Sequence, residues 1–296
     1  FADVPIFREG EECLGVLSVY SISIVGLFTE EFIGLLNSLT GQLAQAARLM
    51  GEMEAREVAR RKMQQAQLDK ARLMRDMEIA QQIQLSLLPE EPPDIFGIEL
   101  AGRCIPAAHV GGDYYDFFKR DDHTIDLVIA DVSGHSVGAA LIMAEVRTLL
   151  RAQVSRATSP SVILNLLNHQ LYDDLSRSEL FITMFYARYN AATGRLSFAN
   201  AGHNRPMVYR PGESACQELD AEGLILGVKQ EVVFEEQAIL LRSGDLIFFH
   251  TDGIPEAMTP SGELYGTERI CQHLAAIGNL SAGDIADSFY EQAQQF

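Results

Sequence analysis

The segment FITMFYARYNAATGRLSFAN, residues 181–200, decides the fold. Its two halves, 181–189 and 195–200, are rich in aromatic and β-branched residues, and Ala-Ala-Thr-Gly (191–194) supplies turn chemistry between them. So short a connection joins antiparallel neighbours, because a parallel pair needs a crossover of about a dozen residues or more. Residues 207–210, 232–241 and 245–250 continue the series, so five strands are expected between 181 and 250 with no helix among them. Upstream, IDLVIADV (125–132) is mostly apolar and reads as a buried strand, while 139–151 and 161–175 carry helical periodicity. The expected class is α+β: an antiparallel β-sandwich of two packed sheets, flanked by helices. Met143, Met207, Phe248 and Phe249 are expected in its core.

The first third of the chain reads differently. CLGVLSVY (13–20) is strand-like. Thr29, followed by Glu30 and Glu31, has the signature of a helix start. Leu39, Leu43, Ala46, Met50 and Met53 follow at alternating spacings of four and three, a coiled-coil seam. A second seam, Leu73, Met77, Ala80, Gln84 and Leu87, is one position out of step with the first. No proline occurs between residues 6 and 88, so one helix is expected from about residue 30 to about residue 88, where Pro89 stops it. The centre of this helix is charged and ambiguous in register, which suits either a solvated linker or a bistable dimeric connector.

Composition narrows the function. The 296 residues hold 23 Lys and Arg against 41 Asp and Glu, a formal net charge of −18, which opposes binding to nucleic acid or anionic lipid. No apolar run approaches the roughly 20 residues that span a bilayer, and no signal peptide is evident. The four cysteines, Cys13, Cys104, Cys216 and Cys271, are scattered without a C-x-x-C pair, which argues against a disulfide framework or thiolate zinc and points to a reducing cytoplasm. Residue 1 is Phe, so the chain is expected to be part of something longer.

Three acids sit beside glycine at the ends of apolar runs: Asp113 in VGGDYYD (110–116), Asp131 closing LVIAD (127–131), and Asp252 in LIFFHTDG (246–253). A carboxylate at the end of a buried strand needs a partner. No Lys or Arg adjoins Asp131 or Asp252, and a hard divalent cation, Mg²⁺ or Mn²⁺, would satisfy several such acids together. The bland alternative is that each aspartate merely forms a turn. Two other motifs compete. Gly134-His135-Ser136-Val137-Gly138 matches the G-x-S-x-G nucleophile elbow, with Asp252 and His273 completing a serine-hydrolase order, but that fold requires a mainly parallel sheet. Gly-Gly-Asp (111–113) matches part of a diguanylate cyclase signature, but Tyr114 and Tyr115 follow where acids belong. His135 and His203 are read as braces for their loops.

Together these residues resemble the metal-dependent type 2C (PPM) serine/threonine protein phosphatases, and within them the RsbU/SpoIIE-like bacterial branch. The matching strings, in order, are VGGDYYDFF (110–118), IADVSGHSVGAALIMAEVR (129–147), FANAGHNRP (198–206), the Gly227 loop and SGDLIFFHTDGIPEA (243–257). The resemblance implies that Asp131 bridges two Mn²⁺ or Mg²⁺ ions, with the Val132 carbonyl as a further ligand and Asp252 holding one ion. Asp113 would orient the attacking water or add to the cluster, and Asp116 is a lesser candidate. It implies hydrolysis of a phosphoserine or phosphothreonine on a regulatory protein of the anti-sigma-factor antagonist type. Three departures stand out: Ser136 where the branch usually has glycine, Arg205 where it has a small residue or proline, and no Asp-Asp-x-Thr strand before Gln-Gln-Phe (294–296). The last leaves one metal site expected to be incomplete. Residues 1–50 resemble the C-terminal part of a GAF sensor domain. The expected organisation is therefore a partial GAF domain (1–50), a coiled-coil linker (51–90) that dimerises through residues 30–88, and a PPM-type domain (95–296) lacking its last strand. A rival reading keeps the same fold as a non-catalytic dimeric signalling scaffold.

Overall fold

A computed structural model describes residues 2–8, 12–19, 29–106, 109–134, 136–213 and 215–296. The chain divides into two compact units, Phe1–Arg75 and Asp76–Phe296. In the first, β1 (Ala2–Arg8) and β2 (Glu12–Val19) pair antiparallel. β2 covers residues 13–19 of the expected strand, and residue 20 lies outside the described residues.

Helix α1 (Glu30–Leu87) runs 58 residues without a break. Thr29 Oγ1 accepts from the Phe32 amide at its start, and Glu30 and Glu31 oppose the positive end of the helix dipole. Of the first seam, Leu39, Leu43, Met50 and Met53 are all exposed, as is Leu73 at the head of the second. The second seam then turns inward: Gln84 is buried and Leu87 half-buried, and Leu88, just past the helix, is buried. Leu88 joins the core of the second unit.

That unit contains, in chain order, β3 (Asp113–Lys119), β4 (Thr124–Val132), α2 (Val137–Gln153), α3 (Pro160–Ser178), β5 (Ile182–Asn190), β6 (Arg195–Ala201), β7 (Met207–Tyr209), β8 (Gln217–Glu218), β9 (Gln237–Leu240), β10 (Leu246–Phe248), α4 (Gly266–Ile277) and α5 (Ala282–Gln295). Five strands form one sheet in the order β3-β4-β5-β6-β9, and three form another in the order β10-β7-β8. Every pairing is antiparallel. The 191–194 turn closes the β5–β6 hairpin as the sequence predicts.

The strand period of two explains the layers. On β5, Met184 and Tyr186 pack with Met143, Leu150, Leu164 and Leu167 of α2 and α3. Their neighbours Phe185 and Ala187 face Phe198, Val208 and Leu219 between the sheets. A third cluster, Met207, Tyr265, Ile270, Leu274, Ile285 and Phe289, lies beneath α4 and α5. The architecture is thus helix–sheet–sheet–helix, and β4 and β5 read as continuous apolar runs because both faces are covered.

Buried charge is fully partnered where the sheet meets the helix layer. Asp126, fully buried on β4, accepts from Arg188 at 2.6 and 2.9 Å, Arg120 at 3.0 Å and Tyr186 at 2.7 Å. The same arginines donate to the carbonyls of Val154, Ala157 and Thr158, tying the chain that follows α2 to the sheet.

Three sequence expectations need correction. The strand predicted over 232–241 shrinks to β9, because only Gln237–Leu240 pair with β6; Val233, before it, is 90% exposed. β3 was read only as a motif, and α4 and α5 were not foreseen. The cysteines are not all unpaired: Cys216 and Cys271 form a disulfide with Cα atoms 5.8 Å apart, across 55 residues of sequence. The approach of α4 to the β7–β8 segment makes this pair, and no local spacing announces it. Cysteine usage therefore no longer argues for a reducing compartment. Among the described residues, no helix is long and apolar enough to cross a membrane.

Candidate active site

The antiparallel register of β3 and β4 sets Asp113 directly opposite Asp131. Gly112 makes this possible. A Cβ there would lie 2.1 Å from the Val132 carbonyl oxygen and 2.9 Å from Asp131 Oδ1, so only glycine lets the chain pass. The Val132 carbonyl and the Asp131 carboxylate thus face one spot, and the Val132 amide donates to the Gly112 carbonyl at 3.2 Å.

Asp252 follows β10 and opens the turn 252–256, where its carbonyl accepts from the Glu256 amide. Its charge reaches both other acids. Burial, then the charges of Asp113 and Asp252, push the Asp131 carboxyl up to about 7. Burial likewise raises Asp113 to about 6, against a hydrogen bond from Thr251 and with the charge of Asp252 adding to the rise. Behind them Cys104 is raised to about 12 by burial and by Asp113, so it stays a thiol.

Whether these residues suit a hard cation can be tested on the donors themselves. They are all oxygen: three carboxylates and the Val132 carbonyl. No Lys or Arg enters the forces on Asp113 or Asp131, so their repulsion has no protein counter-charge. Among the described residues no group of three or more His, Cys, Asp or Glu side chains is arranged to hold one ion. Such a set fits ions that keep much of their coordination as water and carbonyl oxygen, as Mg²⁺ does.

The remaining sequence candidates have other work. Asp116 is buried and satisfied by Tyr114 at 2.9 Å, the Phe117 amide at 2.8 Å and Arg151 at 3.0 Å, so it braces β3 against α2. Ser136 caps α2 by accepting from the Ala139 amide, and His273 is bonded to Ser288 on α5 at 2.9 Å, so the hydrolase triad does not form. Arg205 pairs with Glu218 and Asp220 at the surface. His135 lies outside the described residues.

Two contributors were missed by sequence reasoning. Gln84, near the end of α1, donates to the Gly111 carbonyl at 2.6 Å and accepts from the Gly111 amide at 3.1 Å, gripping the peptide beside Gly112. Its place in the second seam disguised it as a coiled-coil residue. Thr251, beside Asp252, was readable only once Asp113 was known to be near.

Stacked antiparallel sheets between helix layers, with acids converging from β3, β4 and the turn after β10, define the PPM-type phosphatase fold. The SiaA-PP2C domain of Pseudomonas aeruginosa has it: TM-score 0.61 at 20% identity, over 77% of this chain and 91% of that one. The RsbU and RsbW domains of a Mycobacterium tuberculosis protein match at TM-score 0.55 and 25% identity, over 64% of this chain and 52% of theirs. The family model for Stage II sporulation protein E (SpoIIE) matches residues 121–296, and the chain belongs to that family. Phosphoserine phosphatase RsbU of Bacillus subtilis is 33% identical over 189 residues, 64% of this chain and 56% of its own length. The chain spans 56% of RsbU, 36% of Protein IcfG of Synechocystis and 49% of phosphoserine phosphatase RsbP of Bacillus subtilis. Asp131, Val132 and Asp252 fall within the family match, whereas Asp113 precedes it.

Proposed function

We propose that the Asp76–Phe296 unit is a metal-dependent serine/threonine phosphoprotein phosphatase whose site is Asp113, Asp131, Asp252 and the Val132 carbonyl. The observation that carries this reading is the Asp113–Asp131 pair, set face to face across β3 and β4 with no cationic side chain between them, in a chain of the SpoIIE family. Asp131 and the Val132 carbonyl would hold a pair of Mn²⁺ or Mg²⁺ ions, with Asp252 holding one of them. Bound there, the ions would supply positive charge to a phosphoryl group and acidify water. Asp113, half-buried and raised toward neutrality, would accept or steer a proton from the attacking water. The Thr251 hydroxyl keeps it oriented. Gly112 holds the Val132 carbonyl in line, and Gln84 fixes the peptide next to it.

The substrate we infer is a phosphoserine on a regulatory protein of the anti-sigma-factor antagonist type, in keeping with the RsbU relative. Residues 1–50 are read as the end of a GAF-like sensor. The exposed apolar residues of α1 between Leu39 and Leu73 are read as part of a homodimeric coiled coil within 30–88 that couples sensor to phosphatase. The test is manganese-dependent release of phosphate from a phosphoserine protein by the full-length protein and by Asp131→Ala. Loss of at least 100-fold supports the site, and equal activity overturns it. Calorimetric titration with Mn²⁺ separates the enzyme from a binding scaffold: a scaffold takes up no metal at millimolar concentration.

A further inference from the structure

The motif Asn200-Ala201-Gly202-His203 has no part in the site as described, yet it is built with care. Gly202 adopts φ +67°, and a Cβ there would strike Ile225 Cγ2 at 2.4 Å. Asn200 accepts from the His203 amide at 2.8 Å and donates to the His203 carbonyl at 3.0 Å. The ring thus held is buried at 4% exposure. Its Nδ1 meets the Thr183 hydroxyl at 2.7 Å. Thr183 is the direct cross-strand partner of Asp131. The His250 backbone lies near enough to the ring to favour its protonation, and Nε2 is left without a hydrogen-bond partner. His250 is two residues from Asp252.

We propose that His203 is a positioning residue that spans the two halves of the acid cluster, linking Thr183 beside Asp131 to the His250 peptide beside Asp252. This rests on the metal-phosphatase reading above. Burial and the neighbouring His250 keep the ring neutral, lowering its pKa to about 3. A neutral ring has one donor and one acceptor. With the Thr183 hydroxyl donating to Nδ1, the hydrogen would sit on Nε2, the ring atom that has no hydrogen-bond partner. A buried N–H without a partner is costly. Drawing the β4 and β10 segments together around cations would bring that N–H to the His250 backbone, so ion binding and the His203 contact favour each other. Partners behind the ligands of a metal site are worth about 10–100-fold in affinity.

The experiment uses the full-length protein and Mn²⁺ alone, following the free-ion electron paramagnetic resonance signal. Wild type, His203→Ala, His203→Gln and Thr183→Val are compared, each checked for cooperative thermal unfolding. The expected result is a loss of Mn²⁺ affinity of about 10–100-fold for His203→Ala. A smaller loss is expected for Thr183→Val, with partial recovery in His203→Gln, whose amide reaches toward His250. In ¹⁵N-imidazole spectra, the Nε2–H tautomer should be present and its proton should move downfield on adding Mg²⁺. Wild-type binding with unchanged affinity in a folded His203→Ala, or in Thr183→Val should the alanine variant not fold, overturns the proposal. An immobile Nε2–H signal in Mg²⁺-saturated protein does so too. Failure of wild type itself to bind Mn²⁺ removes the underlying phosphatase reading, and the proposal with it.

Discussion

Helices α1 and α3 both repeat apolar residues at helical spacing, with opposite results. On α3, Ile163, Leu164, Leu167, Leu171 and Leu175 are fully buried against the five-stranded sheet. On α1, Leu39, Leu43, Met50, Met53 and Leu73 are exposed. Periodicity says which side of a helix is apolar, and says nothing about what covers it. α3 finds its partner within its own unit because short loops return the chain onto a sheet. Of the stretch of α1 in the Asp76–Phe296 unit, Gln84 is buried, and Leu88 just beyond the helix joins the core there.

Substitutions at matched positions test this contrast. Leu167→Ala should cost about 2–5 kcal/mol of stability, since the closed core around it cannot collapse fully. Thermal unfolding of the Asp76–Phe296 transition measures it, and a change below about 1 kcal/mol would place α3 outside the core. Next in size is the disulfide. Replacing Cys216 and Cys271 by serine, or adding reductant to wild type, should remove about 2–4 kcal/mol, because the bridge restrains a long loop of the unfolded chain. Equal melting temperatures with and without reductant, alongside a thiol count of four, would show that the pair is not bonded in solution.

The acid cluster gives a third, smaller effect with a definite sign. Asp131 has a folded-state pKa of about 7, above its ordinary 3.8, and Asp113 about 6. Between pH 4 and 7 the folded chain therefore holds protons that the unfolded chain has released. In metal-free protein this contribution favours folding at low pH and is lost as pH rises through 7. Asp131→Asn should raise the metal-free melting temperature relative to wild type, by more at pH 7.5 than at pH 5. The gain is roughly 1 kcal/mol once partial exposure and screening are allowed for. A gain that shrinks with rising pH would contradict the mutual repulsion. Smallest of all is Leu73→Asp on α1. Melting of the Asp76–Phe296 unit should stay within about 0.5 kcal/mol, while light scattering should show dimer mass falling to monomer. Unchanged dimer mass would argue against the second seam.

Much of this was legible in advance. The β5–β6 hairpin follows from Ala-Ala-Thr-Gly, the span of α1 from Thr29 and Pro89, and the place of Asp131 near the end of β4 from an acid closing an apolar run. What was not legible depends on approach through space. β3 hid inside a motif rich in tyrosine and glycine, where half the residues are polar. Gln84 looked like a seam residue because only the neighbouring loop reveals its hydrogen bonds. Asp116 looked like a ligand until Arg151 and Tyr114, one on another element, satisfied it. Cys216 and Cys271 are paired by the docking of α4, which has no signature in either flanking sequence.

That bridge has a further consequence. It makes residues 216–271 a covalent ring, and Asp252 is a member of the ring. A protease that clips the exposed stretch around Val233 would leave two fragments still joined through sulfur. They would migrate as one species until a reductant is added, and the severed molecule would keep its full complement of carboxylates.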